Sequence, residues 1–223
     1  MSNAIAEPLD PVTIGYKIKM QSKRFGNATL GRIETSLNTT ESGYRLEVVT
    51  RFQGMATIIS GSNLRESCEF TVQDDRIVSQ HYEGGRIKST DYQVGFDWTN
   101  RKLNFQKDET IDMPEGYVIA NCAMWFAMSL ARGEGLEDEL VYSVEGRDKR
   151  IRGYRFQSLE SETMETKIGT RSVLKLVLER ERRPDRTLTF WLSKDDQYLP
   201  LQIQEKRESR TTTVSVEKLE KLN

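Results

Sequence analysis

Residues 12–20 read Val-Thr-Ile-Gly-Tyr-Lys-Ile-Lys-Met, a stretch in which apolar side chains occupy every second position. Alternate side chains of a β-strand lie on the same face, so this stretch predicts a strand with one apolar and one polar face. The same alternation recurs at residues 44–52, 68–72, 92–98, 154–156, 174–178, 188–192 and 199–203. Such a pattern is typical of an antiparallel sheet with one face in water.

Turn-forming residues separate these alternating segments. Gly84-Gly85 predicts a hairpin turn, because glycine readily adopts the positive φ that such turns require. Residues 183–185 (Arg-Pro-Asp) and 194–197 (Lys-Asp-Asp-Gln) are further turn sequences. Trp191 lies out of phase with its apolar neighbours, so we expect it to pack on the second face of the sheet. Short strands joined by turns favour a meander, sandwich or barrel over βαβ units.

Residues 118–131 depart from this alternation. They read Val-Ile-Ala-Asn-Cys-Ala-Met-Trp-Phe-Ala-Met-Ser-Leu-Ala and contain no charged residue. Met, Ala and Leu favour a helix, and Gly133 is its predicted stop signal. A helix that is apolar on every side is expected to be buried on every side. The sequence therefore predicts a mainly β fold, in which a long curved antiparallel sheet, or half barrel, is wrapped around a buried apolar helix.

The chain shows no linker or repeat that would divide it, so residues 12–223 are predicted to form a single β-rich domain. Residues 1–4 are typical of the remnant of a cleaved expression tag, and we expect the natural protein to carry a signal peptide ahead of Ile5. Residues 5–11 contain two prolines and predict an extended leader. Residues 52–63 fit either a bent strand or a short helix.

The composition argues against several classes of protein. Lys and Arg number 33 against 34 Asp and Glu, a balance that argues against nucleic-acid binding. One His and two Cys exclude the multi-His and multi-Cys zinc sites, and we expect no metal or other cofactor. No apolar run reaches the ~18–20 residues of a membrane-spanning helix.

Catalytic motifs are missing from the sequence. The only histidine, His81, has no recognisable nucleophile motif in the chain to act with, and there is no G-x-S-x-G elbow. We interpret His81 as a surface or half-buried strand residue. The sequence therefore predicts a protein that is not an enzyme and has no catalytic residues.

The last third of the chain carries a family resemblance. Residues 190–195 (Phe-Trp-Leu-Ser-Lys-Asp) followed by 199–203 (Leu-Pro-Leu-Gln-Ile) resemble the strand–turn–strand signature of an uncharacterised family of exported proteins of Gram-negative bacteria, the domain of unknown function 3108. That family is similar in architecture to the LolA-like half barrel of lipoprotein carriers. The resemblance implies a periplasmic or envelope location, a mature chain without its signal peptide, and no known catalytic residues. At the start of its helix the family often has Asp-x-x-Ser, where this chain has Asn121 and Cys122.

The two cysteines leave two alternatives open. In an oxidising envelope, Cys68 on a strand and Cys122 on the helix could form a disulfide. Free cysteines are also among the most buried residue types. We favour two buried free thiols, because a chain of this length needs no cross-link to be stable.

Two hypotheses for function follow. The first is the binding or carriage of a hydrophobic, lipid-like ligand in the concave side of the sheet. Its predicted lining residues are Met124, Trp125, Phe126 and Met128, although the same side chains could simply fill the core. The second is an envelope scaffold that binds another protein through a sheet edge or through the charged hairpin 179–186. That hairpin could also dock an anionic lipid.

Overall fold

The structure is a computed structural model that describes residues 9–23, 26–106, 108–131 and 139–222. The first eight strands are β1 (Val12–Ser22), β2 (Gly26–Thr40), β3 (Gly43–Phe52), β4 (Leu64–Gln73), β5 (Arg76–Arg86), β6 (Tyr92–Asp97), β7 (Lys102–Phe105) and β8 (Glu109–Asp112). The other seven are β9 (Tyr117–Ala120), β10 (Leu140–Glu145), β11 (Arg150–Thr166), β12 (Gly169–Arg180), β13 (Thr187–Ser193), β14 (Pro200–Arg207) and β15 (Arg210–Lys221). The helical segments are α1 (Met55–Ser60), a 3₁₀ helix (Asn121–Ala123) and α2 (Met124–Ala131).

All of these strands belong to one 15-stranded sheet in the order β8-β7-β6-β5-β4-β3-β2-β1-β15-β14-β13-β12-β11-β10-β9. β1 pairs with β2 on one side and with β15 on the other, so the first and last strands lie side by side in the middle of the sheet. Every pairing is antiparallel except that of β9 with β10. The predicted mainly β fold, a long curved sheet around an apolar helix, is confirmed.

The sheet curls until its β9 edge lies against β5. Side chains, rather than a backbone ladder, bridge the two strands. The backbone N–H of Ile77 donates to the Tyr117 hydroxyl at 2.9 Å, and the backbone N–H of Ala120 donates to Ser79 Oγ at 3.0 Å. Buried backbone donors need such partners. These hydrogen bonds therefore hold the curled sheet at its closure.

Replacing Tyr117 by Phe tests this closure. The substitution removes the acceptor of the buried Ile77 N–H, and we expect the free energy of unfolding to fall by about 1–3 kcal/mol. Urea unfolding at constant pH measures the change. The half-buried Tyr142 offers a matched control, because among the residues that the structure describes its hydroxyl forms no hydrogen bond across this closure. Equal losses for Tyr117→Phe and Tyr142→Phe would contradict the role given to Tyr117.

The apolar segment 118–131 is helical only from residue 121 onward. Tyr117–Ala120 is strand β9, which pairs in parallel with residues 141–144 of β10, so the predicted helix start was wrong. The aromatic Tyr117 and the β-branched Val118 and Ile119 suit a buried strand of this kind. The prediction of a buried helix holds for α2, in which Phe126 and Met128 are fully buried. Gly133, the predicted stop signal, lies outside the described residues.

Gly84 and Gly85 do not form the predicted hairpin turn. They lie inside β5, and the connection to β6 follows Arg86. A Cβ atom on Gly84 would lie 2.3 Å from the Tyr92 hydroxyl oxygen, and one on Gly85 would lie 2.6 Å from the backbone nitrogen of Asp91. Glycine is therefore required here for close approach of neighbouring groups, rather than for a turn.

Other local predictions are resolved by the structure. Trp191 is buried and faces away from the apolar side of β13, as expected for packing on the second face. On that second face its indole N–H donates to Glu162 Oε1 at 2.5 Å. The ambiguous residues 52–63 include α1. Of the predicted leader, residues 9–11 have no regular structure, and residues 5–8 lie outside the described part of the chain, as do residues 1–4.

Cys68 and Cys122 form a disulfide, with their Cα atoms 6.3 Å apart. The prediction of two free thiols was therefore wrong. Chain length shows only that a cross-link is not required; the curl of the sheet is what brings the inner face of β4 against the 3₁₀ helix. The disulfide attaches the start of the helical segment to the wall of the half barrel.

Candidate functional site

The concave face of the sheet is filled at one end and accessible at the other. Directly paired residues of antiparallel strands face the same side, so the register identifies the inner face. Along β1, Ile14 is fully buried, Ile18 is 6% exposed and Met20 is half-buried. Along β3, the exposed fraction of the inner-facing residues rises from 0% at Leu46 to 8% at Val48. We call the accessible end, which is bordered by the β3–β4, β5–β6, β10–β11 and β12–β13 connections, the mouth.

The helix explains this gradient. The ring of Trp125 on α2 packs edge-on against the ring of Tyr16 on β1, with centroids 5.6 Å apart. Phe126 and Met128 on the same helix have no exposed surface. The part of the concave face next to α2 is therefore occupied by the chain itself.

Charged side chains occupy inner-facing positions at the mouth. Those identified by the register are Glu66, Glu145, Arg152, Arg180 and Glu205. Arg152 Nη2 lies 2.5 Å from Glu145 Oε2. Glu205 accepts two hydrogen bonds from Arg207, at 2.8 and 2.7 Å. The mouth thus carries charges of both signs above an apolar wall.

Glu66 is the centre of a carboxylate–tyrosine cluster on one side of the mouth. Its Oε1 accepts hydrogen bonds from the hydroxyls of Tyr82 and Tyr92, the latter at 2.6 Å. The two rings meet edge-on with centroids 5.5 Å apart. No ion pair to Glu66 is found within the described parts of the chain. The close approach of Tyr92 is possible because Gly84 has no side chain.

The environment of this cluster keeps both tyrosines protonated. Burial raises the pKa of Tyr82, and the negative charge of Glu66 raises it further. The pKa of Tyr92 is raised by the same two causes in the same order. Both hydroxyls therefore act as hydrogen-bond donors to the carboxylate rather than as bases.

A concavity of about 200 Å³ opens beside this cluster. Its lining includes Glu66, Tyr82, Tyr92, Asn121, Glu145 and Arg147. Asn121 begins the 3₁₀ helix, and its Oδ1 accepts a hydrogen bond from Ser143 Oγ at 2.9 Å. The disulfide at the next residue ties this floor to β4. The concavity is thus walled by β4, β5 and β6 on one side and by the end of β10 and the β10–β11 connection on the other, above a covalently attached helix start.

The four predicted lining residues lie on α2, beyond this floor. Met124, Phe126 and Met128 are almost completely buried in the core, and Trp125 is half-buried. None of them lines the mouth concavity or the two other described concavities, of about 240 and 330 Å³. Of these four residues, Met124 is the nearest in sequence to Asn121 in the floor of the concavity, because α2 directly follows the 3₁₀ helix.

His81 lies on β5 with 37% of its side chain exposed, and its Nε2 is 3.9 Å from Glu83 Oε2. In the described ranges no group of His, Cys, Asp and Glu side chains has the arrangement of a metal site. No helix in those ranges is long and apolar enough to cross a membrane.

The mouth residues have a sequence signal of their own, which the predicted site did not include. Arg180 continues the alternation of Leu174, Leu176 and Leu178 by one step, and Glu205 continues that of Leu201 and Ile203. Glu66 likewise precedes Cys68 and Phe70 in phase. A charged residue at an apolar phase of a strand marks either the end of the buried wall or a buried polar site. These three continuations mark inner-facing charged residues at the mouth.

The fold and the mouth define a β-barrel-like protein with an internal helix. A crystal structure of a β-barrel-like protein of the domain of unknown function DUF1849 from Brucella abortus is similar to it, with a TM-score of 0.63 and 11% identity over 97% of this chain and 100% of that chain. A DUF1329 family protein from Desulfovibrio piger matches with a TM-score of 0.31 and 8% identity, over 95% of this chain and 85% of its own. No curated protein matches the sequence.

The family follows from the sequence match. Residues 15–211 match the family described as "Protein of unknown function (DUF3108)". The chain belongs to this family, as the signature in residues 190–203 indicated.

Proposed function

We propose that this protein is a non-enzymatic protein of the bacterial envelope that binds a hydrophobic, lipid-like molecule in the accessible part of its concave face. The observation that carries the proposal is the exposure gradient of the inner wall, which rises from the helix toward a charged mouth. An apolar wall that ends in polar groups suits a ligand with an apolar chain and a polar head. Such a ligand would enter with its chain toward α2 and keep its head at the mouth.

The disulfide supports an envelope location. Disulfides form and persist in oxidising compartments such as the bacterial periplasm. The Cys68–Cys122 bond is therefore consistent with export of the chain. A periplasmic carrier or binder of lipid-like molecules would meet its ligand at either membrane.

The residues Met124, Trp125, Phe126 and Met128 remain the proposed inner limit of the ligand. Because three of them are almost completely buried, a ligand chain that reaches them must displace part of the core. Trp125, which is half-buried, is the one a ligand can contact with the smallest rearrangement. The proposed ligand chain therefore contacts mainly the wall nearer the mouth.

Native mass spectrometry of gently extracted protein tests this function. Thr50 faces inward near the mouth on β3, and its neighbour Val49 faces outward. We expect the wild-type chain to carry a co-purified lipid that organic extraction releases. Thr50→Trp is expected to reduce the bound fraction severalfold by filling the concave space, while the matched Val49→Trp leaves it unchanged.

Two outcomes would contradict the proposal. One is a wild-type mass equal to that of the bare chain both after extraction from envelopes and after incubation with lipid. The other is equal lipid loss in both tryptophan variants at unchanged thermal stability, which would place the lipid away from the concave face.

The second candidate, a scaffold that acts through a sheet edge, is less well supported by the geometry. The edge strand β8 has only four residues, and its Glu109 and Asp112 form ion pairs with Lys149 and Lys102. Short, charged edge strands resist pairing with another chain. Arg183, in the charged turn after β12, is about half exposed. This turn is therefore the surface at which crosslinking should be used to look for a protein partner.

A further inference from the structure

We propose that the mouth binds an oxyanion, the phosphate or carboxylate of the ligand's head group, through the guanidinium groups of Arg152, Arg180 and Arg186. This inference rests on the proposed function, because it assigns the head-group chemistry of the lipid-like ligand. We call the three residues the arginine cluster. It lies on the β11–β12–β13 wall of the mouth.

The strand register brings the arginine cluster together. Arg180 pairs with Tyr154 across β11 and β12, and Arg152 precedes Tyr154 by two residues, so the side chains of Arg152, Tyr154 and Arg180 lie on the inner face. The backbone N–H of Arg180 donates to the carbonyl oxygen of Arg186 at 2.8 Å. Arg180 is therefore a neighbour of Arg152 on the adjacent strand β11 and of Arg186 across the β12–β13 turn.

The positive charge of the cluster is only partly compensated. Arg152 has one carboxylate partner, Glu145. Arg180 forms no ion pair with any residue that the structure describes. Arg186 has only a distant carboxylate among the described residues, that of Asp185, with Oδ2 4.0 Å from Nε. Three cations thus share one close carboxylate.

Unused hydrogen-bond donors point to a missing acceptor. The Nε atoms of Arg152 and Arg186 are buried and have no hydrogen-bond acceptor in the described part of the protein. The two side chains are 16% and 21% exposed. Leaving a buried donor of a charged group without an acceptor is costly, and an oxyanion would supply that acceptor.

The electrostatic state of Arg180 agrees with this assignment. Burial lowers the pKa of its guanidinium group, and the neighbouring charges on Arg152 and Arg186 lower it further. Arginine nevertheless stays protonated in proteins, so the cluster keeps its positive charge. A phosphate or carboxylate accepts two parallel hydrogen bonds from a guanidinium fork, a geometry that suits this group better than it suits lysine.

Binding of three probes tests the inference: lysophosphatidylglycerol, an uncharged monoacylglycerol of the same chain length, and inorganic phosphate. The lipids are used below their micelle-forming concentrations, and calorimetry measures the affinity. We expect the wild-type chain to bind the anionic lipid at least about tenfold more tightly than the uncharged one, as charge-assisted hydrogen bonds of this kind provide. Arg180→Gln is expected to remove that difference without affecting the uncharged lipid.

Arg51→Gln is the matched control, because Arg51 is exposed on the outer face of β3 and its substitution leaves the mouth unchanged. Should Arg180→Gln fold poorly, Arg186→Gln tests the same cluster, with thermal unfolding reported for every variant. Loss of preference in the Arg51 control as well would overturn the assignment to the cluster.

The outcomes separate this inference from the proposed function. Equal binding of both lipids, unchanged in Arg180→Gln, overturns the oxyanion site and leaves lipid binding standing. Binding of inorganic phosphate alone, lost in Arg180→Gln, supports the oxyanion site and overturns the lipid function. Absence of binding by all three probes overturns both.

Discussion

Replacing Phe126 by Ala is expected to lower the free energy of unfolding by about 3–5 kcal/mol. Phe126 has no exposed surface and lies on α2, which fills the part of the half barrel away from the mouth. The substitution removes buried apolar surface and leaves a cavity that the surrounding strands cannot close. Urea unfolding followed by tryptophan fluorescence measures the loss.

Ile58→Ala is the control for this measurement. Ile58 lies on the other helix, α1, and is 75% exposed, so its truncation should change stability by about 0.5 kcal/mol or less. A loss for Phe126→Ala as small as that of Ile58→Ala would contradict the packed interior around α2. It would also favour a ligand-accessible space at the four residues predicted from the sequence.

Breaking the Cys68–Cys122 disulfide is expected to lower the free energy of unfolding by about 4 kcal/mol. The bond closes a loop with a sequence separation of 54, and loop-closure entropy in the unfolded chain accounts for a contribution of about this size. The test compares urea unfolding of the oxidised chain with unfolding in the presence of a reductant.

The double variant Cys68→Ala/Cys122→Ala is the control for the reductant. The urea concentration at the midpoint of its unfolding should be lower than that of the oxidised wild-type chain and should not change when a reducing agent is added. Coincident unfolding curves of the wild-type chain with and without reductant would show that the bond does not stabilise the fold. A midpoint of the double variant that still shifts with reductant would assign the effect to something other than this disulfide.

The strands were predictable from the sequence because their signal is local. The alternation in residues 12–20 predicts β1, and the same period at Leu174, Leu176 and Leu178 predicts β12, both of which the structure contains. The position of Trp191 between the alternating apolar residues Phe190 and Leu192 is enough to predict that it lies on the second face of the sheet. Continuing the same runs would also have identified Arg180 and Glu205 as inward-facing.

Other predictions failed where distant residues decide the outcome. Gly84 and Gly85 have the sequence of a turn, but the approach of Tyr92 and Asp91 explains why glycine is needed there. Residues 118–120 begin the uncharged apolar run for which a helix was predicted, but their pairing with β10 makes them part of a strand. The free thiols predicted for Cys68 and Cys122 ignored the curl that brings β4 to the 3₁₀ helix.

The order of apolar and polar residues was sufficient to establish a one-sided antiparallel sheet with a buried helix, because side-chain direction in a strand depends on the backbone period alone. The meeting of β9 with β5, the disulfide, and the approach of Tyr92 to Glu66 required the folded chain. Each of these joins residues that are far apart in sequence. No local pattern specifies such contacts, since they depend on how far the whole sheet curls.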